Sequence, residues 1–161
     1  MTTRMLVVVF AGQEVVAIQG LAALLATARA ERRQVRLAYF RSLPTPRLDA
    51  YDRMVADADR EMARITETTT SMLTAAIRQL SLDPVEIVVR FGAPGREVMR
   101  ETDVFTPDLV AFFTPPLAAP VARLRAWSLR RRVVAHRPAR LLLVETPQGR
   151  HLEATPALAT S

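Results

Sequence analysis

Short apolar runs alternate along this chain with longer segments whose apolar positions recur every third or fourth residue. Met5–Phe10 (MLVVVF) is apolar at every position, the pattern of a strand covered on both faces. Glu14–Arg33 reads as a helix, apolar nearly all round, and Gln34–Phe40 (QVRLAYF) as a second strand. Leu43-Pro44-Thr45-Pro46 cannot be helical and predicts a rigid loop. Asp49 is then expected to cap a long helix reaching Leu80, because Tyr51, Val55, Ala58, Met62, Ile65, Thr69, Met72, Ala76 and Leu80 fall about 3.6 residues apart. Thr66–Ser71, rich in β-branched and hydroxyl residues, is its weak point, where a bend or break is expected.

Pro84 opens a third strand, Val85–Phe91 (VEIVVRF), and Gly92-Ala93-Pro94-Gly95 turns into a short helix ending at Thr102. Asp108–Phe113 (DLVAFF) is the fourth strand and Thr114–Pro120 a proline-rich loop. Val121–Ala135 is a helix whose core stripe is Ala122, Ala126, Leu129 and Val133; Pro138 stops it, and Ala139–Glu145 (ARLLLVE) is the fifth strand. Residues 146–161 show no period and read as a flexible C-terminal tail after a single α/β domain over 1–145. Strands and helices that alternate with short connections require a parallel sheet with helices on both faces. Such sheets bind ligands beyond the carboxyl ends of their strands, here Phe10, Phe40, Phe91 and Phe113.

Charge adds one feature to this pattern. All 22 basic residues are arginine, and the formal net charge is +6. Seven of those arginines (123, 125, 130, 131, 132, 137 and 140) lie between Leu109 and Val144, a stretch without an acidic residue. The other 15 arginines stand against 16 acidic residues and leave the rest of the chain near neutral, so the charge sits in one basic segment, which points to an anionic partner. Cysteine is absent, so thiol chemistry is excluded and a reducing cytoplasm suits the chain. No apolar run is long enough to span a bilayer and no signal-peptide cleavage pattern follows Met1-Thr2-Thr3-Arg4, so no membrane association is expected.

The opening RMLVVVF, the long second helix, Gly92-Ala93-Pro94-Gly95-Arg96-Glu97-Val98, Asp108-Leu109-Val110 and the run from His136 to Val144 stand in one register. Together they resemble the universal stress protein family. The resemblance implies an open, doubly wound, five-stranded parallel sheet ordered 3-2-1-4-5 and a homodimer. It also carries a test for nucleotide binding. ATP-binding members place an Asp at the end of the first strand, where this chain has Phe10. Their Gly-rich loop after the fourth strand is replaced by Thr114-Pro115-Pro116-Leu117-Ala118-Ala119-Pro120, with Trp127-Ser128 at the closing pair. Only Thr114 and Ser128 match. Three prolines remove backbone N–H donors that a phosphate cradle needs. Family-type ATP binding is not expected, and neither is any cofactor.

With only His136 and His151 present, no His-rich metal site can be built; Ser128 has arginines and no base in the chain beside it, and an enzyme is not expected. His136 reads as a helix-terminal residue over last-turn carbonyls. The sharpest candidate is the basic helix, where Arg123, Trp127, Arg130 and Arg131 fall on the face opposite its core stripe. With Thr114 and Ser128 they form the candidate ligand-binding set. A solvated face, an anionic small molecule or nucleotide, and a nucleic acid all fit that set. The fifth strand, last in the sheet, is expected to be an unprotected edge. Arg140, Leu141, Leu142, Leu143 and Val144 are then the homodimer interface. The function that fits is a dimeric stress-response or regulatory binding module.

Overall fold

A computed structural model describes residues 2–80, 85–113, 120–136, 139–145 and 150–154. Its elements are β1 (Arg4–Phe10), α1 (Glu14–Ala30), β2 (Gln34–Arg41), β3 (Arg47–Leu48), β4 (Met54–Ala56), α2 (Ala58–Gln79), β5 (Glu86–Phe91) and α3 (Pro94–Phe105), followed by β6 (Leu109–Phe113), α4 (Pro120–His136), β7 (Arg140–Glu145) and β8 (Arg150–Ala154). The main sheet runs β5-β2-β1-β6-β7-β8. Its first five strands are parallel and stand in the expected 3-2-1-4-5 order.

Alternation of side chains along each strand divides the core in two. Met5, Val7 and Val9 of β1 face α1 and α2, where they meet Leu21, Leu24, Leu73 and Ile77. Leu6 and Val8 face α3 and α4, where they meet Val98, Phe105, Leu129 and Val133. Met5 through Val9 have no exposed surface, which is why the strand shows no polar alternation. At the amino ends of the strands Asp108 joins three elements. Its carboxylate accepts from the Arg4 backbone N–H at 2.7 Å and pairs with Arg33 Nη1 at 2.6 Å. Burial works to raise the Asp108 pKa, but the Arg33 guanidinium and the Arg4 N–H hold it below the ordinary carboxylate value.

Four expectations are corrected. The fifth strand is not an edge: β8 pairs antiparallel with β7 along Leu141↔Ala154, Leu142↔Glu153, Leu143↔Leu152, Val144↔His151 and Glu145↔Arg150. The segment read as tail thus supplies a sixth strand, while 146–149 and 155–161 lie outside the described residues. Leu141, Leu142 and Val144 are also buried in the two core layers and present no apolar dimer face. The physical reason is that an unprotected strand edge is satisfied by any strand that reaches it, and the chain's own continuation does so first.

Second, Asp49 does not cap the long helix. Its Oδ1 accepts from the N–H groups of Tyr51 (2.8 Å) and Arg53 (3.0 Å), which folds the tip of the β3–β4 hairpin. A short carboxylate serves a turn as well as a cap, and the periodic residues before Ala58 lie in that hairpin. Asp57 is the actual N-cap of α2 and accepts from the Arg60 N–H at 2.8 Å. Replacing Asp57 with alanine is expected to cost about 1 kcal/mol of stability. Urea unfolding would measure it, with Asp49→Ala as the contrast that leaves the helix cap intact.

Third, α2 runs unbroken through Thr66–Ser71. Thr66 Oγ1 donates back to Met62 O at 2.8 Å and Thr69 is buried, so packing overrides weak propensity. Fourth, His136 does not cap its own helix. Its Nε2 lies 2.9 Å from Asp103 Oδ1, which ties the end of α4 to α3. The readings placed on Pro84 and Pro138 lie outside the described residues.

Candidate functional site

Strand order reverses direction between β1 and β6, so the switch-point crevice opens above Phe10 and Phe113. There Gln13 bridges the two strand ends. Gly12 takes φ +91°, a left-handed turn that glycine adopts without strain, and brings Gln13 back over the sheet. The Gln13 N–H donates to Phe10 O at 2.9 Å and its Oε1 accepts from the Phe10 N–H at 3.2 Å. Its Nε2 reaches across to Phe113 O on β6 at 3.5 Å, a long contact. Gln13 is the N-cap residue of α1 but makes no side-chain cap bond; its amide bridges the two strand ends instead. Beside it the Phe10 ring packs on Phe40, centroids 6.0 Å apart. Backbone groups open to a ligand in such a crevice are here taken by a glutamine, and the rim is aromatic.

The start of α1 is held to the end of β2 by a second pair. The Tyr39 hydroxyl donates to Glu14 Oε1 at 2.5 Å. Burial and that hydrogen bond to a carboxylate push the tyrosine up to about 12. Burial tends to raise Glu14, but the Tyr39 hydroxyl, backbone N–H groups and nearby Arg41 bring it below its usual value. Tyr39 therefore stays protonated and Glu14 ionised at neutral pH. Neither is poised to exchange a proton, and the pair serves as a clamp. Sequence reasoning missed it, because a strand tyrosine and a first-turn glutamate are each unremarkable alone.

A third cluster lies between the sheet and α3. Glu101, 2% exposed, accepts from Arg36 Nη1 at 2.6 Å and from Arg90 Nε at 2.8 Å. Arg36 also binds Glu86 through two bonds of 2.9 and 3.0 Å, and its guanidinium lies over the Phe105 ring at 4.4 Å. The four charges neutralise one another pairwise and fix α3 on β2 and β5. A charged run in strand positions gave no sign of this, since only the fold brings residues 36, 86, 90 and 101 together.

On α4 the candidate ligand residues separate. Trp127 is 53% exposed, with the Arg131 guanidinium 4.8 Å from its ring centroid. Ser128 is exposed on the same side. Arg130 turns onto its own helix, donating from Nε to Ala126 O at 3.2 Å. Arg123 lies within α4, but its side chain, like Thr114 and Arg137, lies outside the described residues. Leu124, Arg125 and Arg132 are exposed on this helix as well and were not among the candidates. Arg132 reaches the first turn of α3, where its Nη2 lies against Gly95. Among the described residues, no three His, Asp or Glu side chains gather as a metal site.

No protein-family model matches the chain. No curated protein matches it either. Solved structures do. A universal stress protein in complex with cAMP aligns at TM-score 0.54 and 16% identity, over 91% of this chain and 100% of that one. The universal stress protein UspA from Lactobacillus plantarum aligns at TM-score 0.56 and 15% identity, over 88% and 96%. A deacetylase triple mutant from the teicoplanin biosynthetic pathway aligns at 0.58 and 15% identity, over 91% of this chain and 65% of that enzyme. At such identities the likeness shows the fold alone: a parallel α/β sheet of the universal stress protein kind.

Proposed function

From the universal stress protein fold that the chain carries, we propose that it is a stress-response or regulatory module acting by binding, without the ATP site of that family and without catalysis. The observation that carries the reading is Gln13, whose side chain spans the crevice between β1 and β6 and takes up Phe10 N and Phe113 O. Phe10, where ATP-binding members place an Asp, supports it by packing on Phe40. Calorimetry with Mg-ATP is expected to give no saturable heat at micromolar concentration. One-per-chain micromolar binding would overturn the reading.

A second reading, an anionic small molecule or nucleotide held by arginines, draws support from the Arg131–Trp127 stack and from a fold neighbour solved with cAMP. A nucleotide copurifying with the protein, seen in the absorbance ratio at 260 and 280 nm, would favour it. A homodimer belongs to the proposal through a different edge. With β7 covered, β8 and β5 end the sheet among the described residues, and β8 is the edge on the side where the dimer was expected. The proposed setting is the cytoplasm, which suits a chain without cysteine.

A further inference from the structure

We infer that the outer face of α4 docks on a lipid surface carrying anionic headgroups. Leu129 and Val133 anchor the helix in the core, Val133 with no exposed surface, and fix which side faces out. At about 100° per residue, the arc opposite them holds Leu124, Trp127, Ser128, Arg131 and Ala135. All five are exposed, Leu124 by 65% and Trp127 by 53%. Arg125 and Arg132 border this arc on one side, and Arg130 borders it on the other. Arg130 and Arg132 turn to Ala126 O and to α3, which leaves exposed Leu124 and Trp127 beside the exposed guanidiniums of Arg125 and Arg131, the arrangement of a helix lying in a headgroup layer. Leucine and tryptophan enter the acyl boundary there while arginines reach the phosphates.

The surroundings are cationic too. α3 beside it exposes Arg96, and its acids are engaged: Glu101 by Arg36 and Arg90, Asp103 by His136, and Glu97 by Arg100 at 3.8 Å. Among the described residues no helix is long and apolar enough to cross a membrane, so this contact, which departs from the expectation of no membrane association, is with the surface only. Two features favour lipid over nucleic acid. Arg131 already covers one face of the Trp127 ring, so a stacking base would have at most the other. Leu124, one turn away, has no role against a phosphate backbone but gains from leaving water. This inference is independent of the bridged crevice at Gln13.

The test is cosedimentation of the full chain with vesicles of equal parts phosphatidylglycerol and phosphatidylcholine, against vesicles of phosphatidylcholine alone. Binding is expected to the anionic vesicles only, to fall with added salt, and to shift the emission of Trp127, the single tryptophan, to the blue. Arg125→Ser and Arg131→Ser should each lower the partition coefficient about fivefold. Leu124→Ser should lower it about tenfold while leaving the circular dichroism unchanged. Equal sedimentation with both vesicle types, or none with either, overturns the inference. So does tight binding to single-stranded or duplex DNA that Leu124→Ser leaves untouched, which would assign the face to nucleic acid.

Discussion

Replacing Glu101 with alanine is expected to lower the unfolding free energy by about 3 kcal/mol, the low end for breaking a buried ion pair. The loss comes less from missing attraction than from what remains. Arg36 and Arg90 were desolvated around a carboxylate that is 2% exposed, and the variant leaves their guanidiniums facing a cavity. Arg36 keeps Glu86 and its stack on Phe105, and Arg90 is 41% exposed, which holds the cost at the low end. Glu101→Gln keeps the shape and one acceptor and should cost less. The double variant Arg36→Met with Glu101→Leu removes both charges and should recover part of the loss, since matched apolar replacements of buried pairs are often neutral. Chemical denaturation reads these chains, and the single variants Arg36→Met and Glu101→Leu complete the double-mutant cycle. A loss within about 0.5 kcal/mol for Glu101→Ala, the size of an ordinary surface change, would show that the cluster does not hold α3 to the sheet.

Removing residues 146–161 is expected to turn a chain of defined mass into one that self-associates with rising concentration. Without β8, the backbone of Leu141–Glu145 loses the five-residue register that covers it. That strand carries no proline, and only Arg140 and Glu145 at its ends are charged. An uncovered strand of this composition pairs with the nearest equivalent strand, which is then another copy. Light scattering over a concentration series, with hydrogen exchange of the Leu141–Val144 amides, distinguishes the outcomes. Intact chain should protect those amides at every dilution; the truncated chain should protect them only when concentrated. Equal mass and equal protection in both chains would count against β8 as the strand that covers β7.

Much of the fold was legible because its cause is local. Uninterrupted apolar strands such as Met5–Val9 and helices with one buried stripe dictate a parallel sheet between two helical layers. Element ends were set within a few residues by glycine, proline and charge. The failures share a different cause. Asp49 and Asp57 are equally good caps in one dimension, and the choice between them depended on a hairpin whose pairing joins Arg47 to Ala56 and Leu48 to Met54. The stretch 66–71 has poor propensity, yet burial of Ile65, Thr69 and Leu73 against the sheet side holds it helical.

The site divides in the same way. That Phe10 stands where ATP-binding universal stress proteins place an aspartate could be read directly, because an aspartate is either present at the end of the first strand or it is not. That the crevice is bridged by Gln13 could not, since its partners Phe10 and Phe113 lie far apart in the chain and meet only once β1 and β6 pair. The basic helix was visible as composition, but which residues face outward depended on where Leu129 and Val133 were buried. By itself the sequence determined the order of the five parallel strands and the four helices, the sidedness of the core and the placement of charge, all properties of neighbours along the chain. Tertiary structure alone decided which edge is covered, which cations share Glu101 and which arc of α4 meets the solvent, because each depends on contacts between residues whose separation in sequence carries no energy until the sheet has closed.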